Sequence, residues 1–466
     1  MNKLLALGSA ALLACHASLA LAQESPSNAG PRNVILIVGD GMDEQQITIA
    51  RNYLHGASGE LLLDQMPLRG AAQILTTENN ASGRPVYVAD SANTATSMAT
   101  GVVTSRGRLA TTAGTDEDIP TIVELATAAG FRAGIVSSAS VTDATPASFA
   151  AHISFRLCEN PGLMQAVVVS DIHLGDCIPD TRAQGGPGSI AEQLAESSLH
   201  VLLGGGAKHF APIAEGDTRS VQQVASDNGF TVLESKQDLA NAPADARLLG
   251  TFAPSTLPVR MQGEDGRTAE QPRRSFLNYI HRYLGSVTLP SPMRCEPNPG
   301  FAEIPSLQAM TDVALRNLSH NNDRGFFLMV ESASIDKQAH ERKPCGSIGE
   351  LQQLDEVLQS ALAFAEQQPN TLIIVTADHS QAAQIVPDTS LFAAYPIPVF
   401  TPGYLARIVT PEGAHMAVNY ATTTFFMEEH TGAAVPLYGN AQAVGHMPPY
   451  LRQPELFGVA RDYLGF

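Results

Sequence analysis

Four short apolar segments of the 466-residue chain run directly into acidic or metal-ligating side chains. NVILIVGDGM delivers Asp40, GIVSSASVTDAT delivers Asp143 and Thr145, FFLMVESASIDKQAH turns polar at Glu331, and LIIVTADHS ends in Asp378 and His379. A single Asp or Thr after a strand is an ordinary helix cap. Carboxylates at several strand ends, however, would repel one another in a shared crevice unless cations neutralised them, and oxygen donors mixed with imidazoles suit zinc and magnesium. Asp336 and His340 lie four residues apart, so a helix or tight turn sets both on one face as a pair of metal ligands. Glu331 can face a different ion.

VADSANTATSMATG supplies a second kind of chemistry. After Asp90 and Ser91 come Ala92, Thr94, Ala95, Thr96, Ser97 and Ala99, ending near Gly101, a composition that predicts a closely packed helix with Ser91 at its N-terminus. Amide groups there favour a phosphate or an oxyanion, which gives Ser91 a nucleophile's position. A serine at its free pKa is inert and needs a base or a metal. No G-x-S-x-G elbow surrounds Ser91, which counts against an esterase triad and favours a metal as activator.

The elements that must carry these residues follow from the hydrophobic pattern. Asn33 to Val38, Ala133 to Val136, His200 to Leu203, Phe326 to Val330 and Leu372 to Val375 are short runs rich in β-branched or aromatic residues and predict buried strands. Pro120 opens a helix with Ile122, Leu125, Ala126 and Ala129 on one face, closed by Gly130, and a second helix is expected from Leu351 to a stop at Pro369. Strands alternating with helices imply one doubly wound α/β sandwich, in which ligands gather at the carboxyl ends of the strands. The stretch 216–299, rich in Pro, Gly and charge with weak periodicity, reads as an insertion or lid on that sheet.

A net charge of −18 excludes a nucleic-acid binder held by a basic face. Residues 1–22 have the marks of a cleaved secretory signal: Lys3, an apolar run from Leu4 to Ala14, and Ala20-Leu21-Ala22 before Gln23. His16 and Ser18 interrupt the run, so no transmembrane segment is expected in the mature chain; Cys15 after Leu12-Leu13-Ala14 leaves lipidation as an alternative. Residues 23–32 read as a mobile leader. The four cysteines beyond the signal, Cys158, Cys177, Cys295 and Cys345, are an even set in a disulfide-permissive compartment, and sequential pairing closes the smallest loops of the three connectivities.

The order of Asp40-Gly41-Met42, Asp90-Ser91-Ala92, Asp143-Ala144-Thr145-Pro146, Glu331 through His340, Ala377-Asp378-His379 and His430-Thr431-Gly432 resembles the alkaline phosphatases, especially the bacterial periplasmic type. The likeness runs from about residue 31 to the C-terminus. It implies a three-layer α/β/α sandwich with a large, mostly parallel central sheet, a single catalytic domain over 33–466, and hydrolysis of small phosphate monoesters through a phosphoserine at Ser91. By the same resemblance each subunit takes two zinc ions and one magnesium: Asp336, His340 and His430 hold one zinc; Asp40, Asp378 and His379 hold the other; Asp40, Thr145 and Glu331 hold magnesium. His415 and His446 are nearby rivals for His430. Arg156, in HISFR, matches the phosphate-binding arginine, whose planar fork suits two oxygens, and Asp90, Asp143 and Lys337 match the supporting residues. A homodimer and a periplasmic or secreted location are expected. The alternatives are a phosphodiesterase or sulfatase of the same superfamily, or an exported metal- or phosphate-binding protein without catalysis.

Overall fold

The computed structural model describes residues 30–395 and 397–466, so the expected signal peptide and most of the leader lie outside the described residues. Ten strands build one sheet. In chain order they are β1 (Arg32–Gly39), β2 (Leu68–Gln73), β3 (Arg132–Ser140), β4 (Val201–Gly205), β5 (Phe230–Leu233), β6 (Arg247–Thr251), β7 (Gly325–Ser332), β8 (Thr371–Ala377), β9 (Val435–Gly439) and β10 (Tyr450–Arg452). Their spatial order is β10-β2-β9-β8-β1-β7-β3-β4-β6-β5, and β9 alone among them runs antiparallel to its neighbours. Arg32, expected in the leader, already pairs with Gly325 in β1.

All five strands predicted from apolar runs lie in the middle of this sheet, where both faces are covered and every residue of β7 and β8 is buried. One group of helices comprises α1 (Glu44–His55), α4 (Leu307–Ser319) and α6 (Pro344–Gln367); another comprises α2 (Ser91–Thr100), α3 (Ile122–Ala128) and α7 (Glu455–Leu464). Between α4 and α6 in sequence lies the short helix α5 (Ser334–His340). The result is the doubly wound, three-layer α/β/α sandwich expected, with a large and mostly parallel central sheet.

Two expectations need correction. The helix expected from Leu351 begins seven residues earlier, with Pro344 in its first turn. Its opening Pro-Cys-Gly-Ser-Ile-Gly lacks helical propensity, and packing overrides it: a Cβ at Gly349 would stand 3.0 Å from the Met261 amide nitrogen, so glycine is what lets this turn approach the neighbouring chain. The stretch 216–299 is not one inserted unit either. Phe230–Leu233 and Arg247–Thr251 are strands of the sheet itself, the first short with Thr231 exposed and the second with only Leu248 and Leu249 as large apolar residues, so neither shows as an apolar run. Only the later part, with the pairs Met261–Gly263 on Cys295–Pro297 and Arg273–Arg274 on Val287–Thr288, lies off the sheet.

Both disulfides form as sequential pairs, Cys158 with Cys177 and Cys295 with Cys345, at separations of 19 and 50 residues. Loops of that size are worth about 3–4 kcal/mol each through the unfolded chain. Replacing both Cys158 and Cys177 with Ser should lower the unfolding free energy by about 3 kcal/mol. Urea denaturation measures it, and non-reducing peptide mapping checks both pairs.

Candidate active site

Register explains why the acidic residues meet. β1 lies between β7 and β8, with Val38 beside Glu331 and Gly39 beside both Ser332 and Ala377. The three strands therefore end at one level, and Asp40, Glu331 and the Asp378-His379 pair emerge together at the carboxyl edge. Gly41 follows Asp40 with φ +68°, and a Cβ there would meet Asp336 Cα and Cβ at 3.1 and 3.0 Å. Its amide donates to Asp378 Oδ1 at 2.9 Å, fixing that carboxylate. α5 leaves β7 at once and places Asp336 and His340 one turn apart, 3.3 Å between Oδ2 and Nε2.

Ser91 opens α2, all ten of whose residues are buried. Asp90 caps the helix reciprocally: its Oδ1 accepts from the Asn93 amide at 3.1 Å, and Asn93 Oδ1 accepts from the Asp90 amide at 2.9 Å. The Ser91 hydroxyl oxygen stands 3.2 Å from His379 Nε2. That nitrogen is also 3.4 Å from Asp40 Oδ1 and 3.3 Å from Asp378 Oδ2. His430 arrives from far along the chain because Thr431 pairs with Ser380, through a backbone bond of 3.1 Å and a hydroxyl contact of 2.7 Å. Its ring lies over His379, centroids 3.7 Å apart, with Nε2 3.4 Å from Asp336 Oδ1 and 3.0 Å from His340 Nε2.

The donor chemistry fits cations. Nδ1 of His340, His430 and His379 each faces a backbone carbonyl, of Glu428, Ala89 and Ser380 respectively, which leaves Nε2 of all three for the centre. Asp40 Oδ1, Asp378 Oδ2 and Thr145 Oγ1 are buried without any hydrogen bond, a cost of about 1–3 kcal/mol apiece that a cation would remove. Ligand atoms of Asp40, Asp378 and His379, and of Asp336, His379 and His430, lie within 4.8 Å of one another. His379 therefore stands between the two sets, while Asp336, His340 and His430 converge pairwise at 3.0–3.4 Å.

Without cations the charges are frustrated. Burial, then Asp378, Asp336 and Glu331, push the Asp40 carboxyl well above its usual range. Burial and Asp143 take Glu331 up to about 7, although Ser137 donates to it. Burial pulls the His379 imidazole down, whereas Asp336 outweighs burial at His430 and lifts it to about 9. Opposite the cluster, Asp143 anchors two cations: Arg156 Nη2 donates to its Oδ1 at 3.0 Å and the Lys337 ammonium donates to its Oδ2. Arg156 Nη1 reaches Asp90 Oδ2 at 3.3 Å. Despite burial, Lys337 and Arg156 keep the Asp143 carboxyl below the carboxylate range.

The rival histidines lie elsewhere: His415 pairs with Asp388, and exposed His446 bonds the Gln442 carbonyl. Three neighbours of the site carried no signal in the sequence. Gln381 donates to Asp336 Oδ1 at 2.5 Å, and Arg342 with Glu428 forms a buried pair behind His340. Only their nearness to ADHS, to His340 and to HTG could have drawn attention to them.

The family model described as alkaline phosphatase matches residues 31–443, nearly all of the described chain. The chain belongs to the alkaline phosphatase family. Among relatives of this family, the streptomycin-6-phosphate phosphatase of Streptomyces griseus is 39% identical over 98% of this chain and 96% of its own. The alkaline phosphatase of Escherichia coli K12 is 38% identical over 95% of this chain and 88% of its own. The solved alkaline phosphatase of the Antarctic bacterium TAB5 superposes with a TM-score of 0.64, covering 94% of this chain and 98% of the other; at 21% identity that likeness bears on the fold. The chain is thus a phosphatase of a metal-dependent family, with candidate ligand groups at the carboxyl edge of its sheet.

Proposed function

We propose that this alkaline phosphatase hydrolyses diverse small phosphate monoesters through a phosphoserine at Ser91. The observation that carries the reading is the Ser91 hydroxyl at the N-terminus of a buried helix, 3.2 Å from His379 Nε2 and beside carboxylate oxygens that have no hydrogen-bond partner. Asp336, His340 and His430 would hold one zinc, Asp40, Asp378 and His379 the second, and Asp40, Thr145 and Glu331 a magnesium. When bound, these cations supply the positive charge that lowers the pKa of the Ser91 hydroxyl and of the attacking water and steadies the departing alkoxide. The helix amides at Ser91 face a phosphoryl oxygen, and the Arg156 fork, swung from Asp143 and Asp90, takes two more. Ser91 Oγ then bonds to phosphorus as the ester P–O bond breaks; water afterwards cleaves the phosphoserine and frees inorganic phosphate. Positioning and charge neutralisation are most of what phosphoryl transfer needs.

Residues 33–466 act in this reading as one catalytic domain, since the sheet draws strands from Arg32 to Arg452. Two disulfides favour an oxidising, periplasmic or secreted location. A homodimer accords with the exposed apolar side chains of Phe276, Tyr279, Ile280 and Tyr395 and is tested by light scattering. Parallel assays with a chromogenic monoester, a diester and a sulfate ester separate this reading from its alternatives. Adding streptomycin 6-phosphate, which the S. griseus relative is named for, tells broad from dedicated specificity. Monoester turnover exceeded by that of the diester or sulfate would overturn the proposal.

Lys337 offers a finer check. It shares Asp143 with Arg156, so it attracts substrate and product phosphate alike. Such uniform binding aids capture and slows release. Lys337→Ala should raise KM and the inhibition constant of inorganic phosphate about tenfold, the worth of one charge-assisted hydrogen bond. Turnover should hold level, or rise where release limits it. Steady-state kinetics with phosphate as inhibitor measure both, and unchanged constants would place Lys337 away from phosphate.

A further inference from the structure

Two residues beyond His340, Arg342 adopts φ +60°, a left-handed conformation unfavourable for a residue with a long side chain. Such strain persists only where the surroundings over-determine it. Here they do. The residue is 6% exposed, and its Nε donates to Glu428 Oε1 at 2.6 Å, Nη1 to the Phe426 carbonyl at 3.1 Å and Nη2 to the Phe425 carbonyl at 2.7 Å. The guanidinium carbon lies 3.8 Å from the centre of the Tyr404 ring. One side chain therefore gathers three acceptors from a loop, 422–429, that has no helix or strand of its own. Phe425 and Phe426 turn their carbonyls inward and leave their rings exposed among the described residues.

What the loop carries gives the clamp its meaning. Glu428 is fully buried, and its Oε2 accepts from the Thr422 amide at 2.9 Å and hydroxyl at 2.6 Å. Its backbone faces α5: the Glu428 amide donates to the His340 carbonyl at 3.0 Å, and the Glu428 carbonyl accepts from His340 Nδ1. Two residues later comes His430. The backbone of Glu428 thus orients one imidazole and tethers the segment that carries the other, the kind of outer contact that fixes ring and tautomer in a metal site.

We propose that Arg342 is the positioning residue of the zinc site formed by Asp336, His340 and His430, locking the 422–429 loop so that the Glu428 carbonyl fixes the His340 ring and His430 stays beside Asp336. The inference rests on the reading that these three residues bind zinc. A lysine keeps the charge but cannot reproduce a fork that spans a carboxylate and two carbonyls.

The test is zinc affinity, independent of activity. Chelator-stripped protein is titrated with zinc in competition with a chromogenic zinc indicator, for wild type, Arg342→Lys, Arg342→Ala and the milder Glu428→Gln. Wild type should bind two zinc ions. Arg342→Lys and Arg342→Ala should weaken one of them about 10–100-fold, the range for loss of an outer-sphere partner, and Glu428→Gln less so. The other zinc, on Asp40, Asp378 and His379, should be unchanged and serves as the internal control for folding. Equal weakening of both ions, or no weakening in the folded Arg342→Lys and Glu428→Gln proteins, would overturn the clamp and leave the functional reading standing. Wild type that takes up no zinc would overturn both.

Discussion

Ser91→Ala should cut turnover of a phosphate monoester by about 10⁴-fold or more, in line with removal of the nucleophile from other covalent hydrolases. The same change should abolish the acid-stable phosphate that quenching otherwise traps on the peptide containing Ser91. The expectation is large because no neighbouring group can substitute. Asp90, next in sequence, spends both carboxylate oxygens on the Asn93 amide, the Gly107 amide and Arg156. Thr94 points its hydroxyl back to the Asp90 carbonyl at 2.9 Å. Folding should be unaffected, since the buried hydroxyl's one hydrogen-bond partner among the described residues is His379 and alanine is a better helix former. Mass spectrometry of the quenched peptide decides the matter. Phosphate on another residue, or an alanine variant of near-normal turnover, would remove the proposed intermediate.

How far the sequence could be read depended on range. Central strands such as Phe326 to Val330 were legible because a strand buried on both faces needs an unbroken apolar run, and that requirement is local. The residues after them were legible for the same reason, Asp40 and Asp378 each following a run directly. Edge strand β5 and its neighbour β6 were not: both are short, Thr231 faces solvent in the first, and Arg247, Gly250 and Thr251 leave only two large apolar residues in the second. His430 could be assigned only through resemblance, because it reaches the site through a pairing of Thr431 with Ser380, 51 residues away. Arg342 and Glu428 were beyond reach altogether. Their ion pair joins positions 86 residues apart, and neither type of residue in an unpatterned loop suggests burial.

Removing the metals should abolish hydrolysis, to be regained with zinc and magnesium together, and should also make the stability of the protein fall as pH rises from about 6.5 to about 9. Most of the fall comes from His430. Its imidazole titrates near 9 in the metal-free fold, against about 6.5 in an unfolded chain, because Asp336 outweighs burial. A group whose folded pKa is raised contributes its full stability below the unfolded value and loses it as pH climbs through the folded one. That is about 3 kcal/mol at most, and the depressed Asp336 belongs to the same pair and is not counted again. His152, lifted by Glu124 against burial, adds to the fall at the start of this window, and Asp40, pushed up by burial and Asp378, acts in the same sense. Glu331 and Glu159, raised to about 7, cost stability mainly between the unfolded carboxylate range and 7, whereas His200 and His209, lowered to about 4, act in the opposite sense below 6.5. Zinc reverses the trend, because it takes the Nε2 position only after the proton has left, so its stabilisation grows with pH over the same interval. Urea denaturation of chelator-treated and zinc-loaded protein at pH 6.5, 7.5, 8.5 and 9 should show the gap between them widening, and His430→Ala should flatten the metal-free curve. A metal-free stability that rises across the interval would mean that His430 carries no such pair with Asp336.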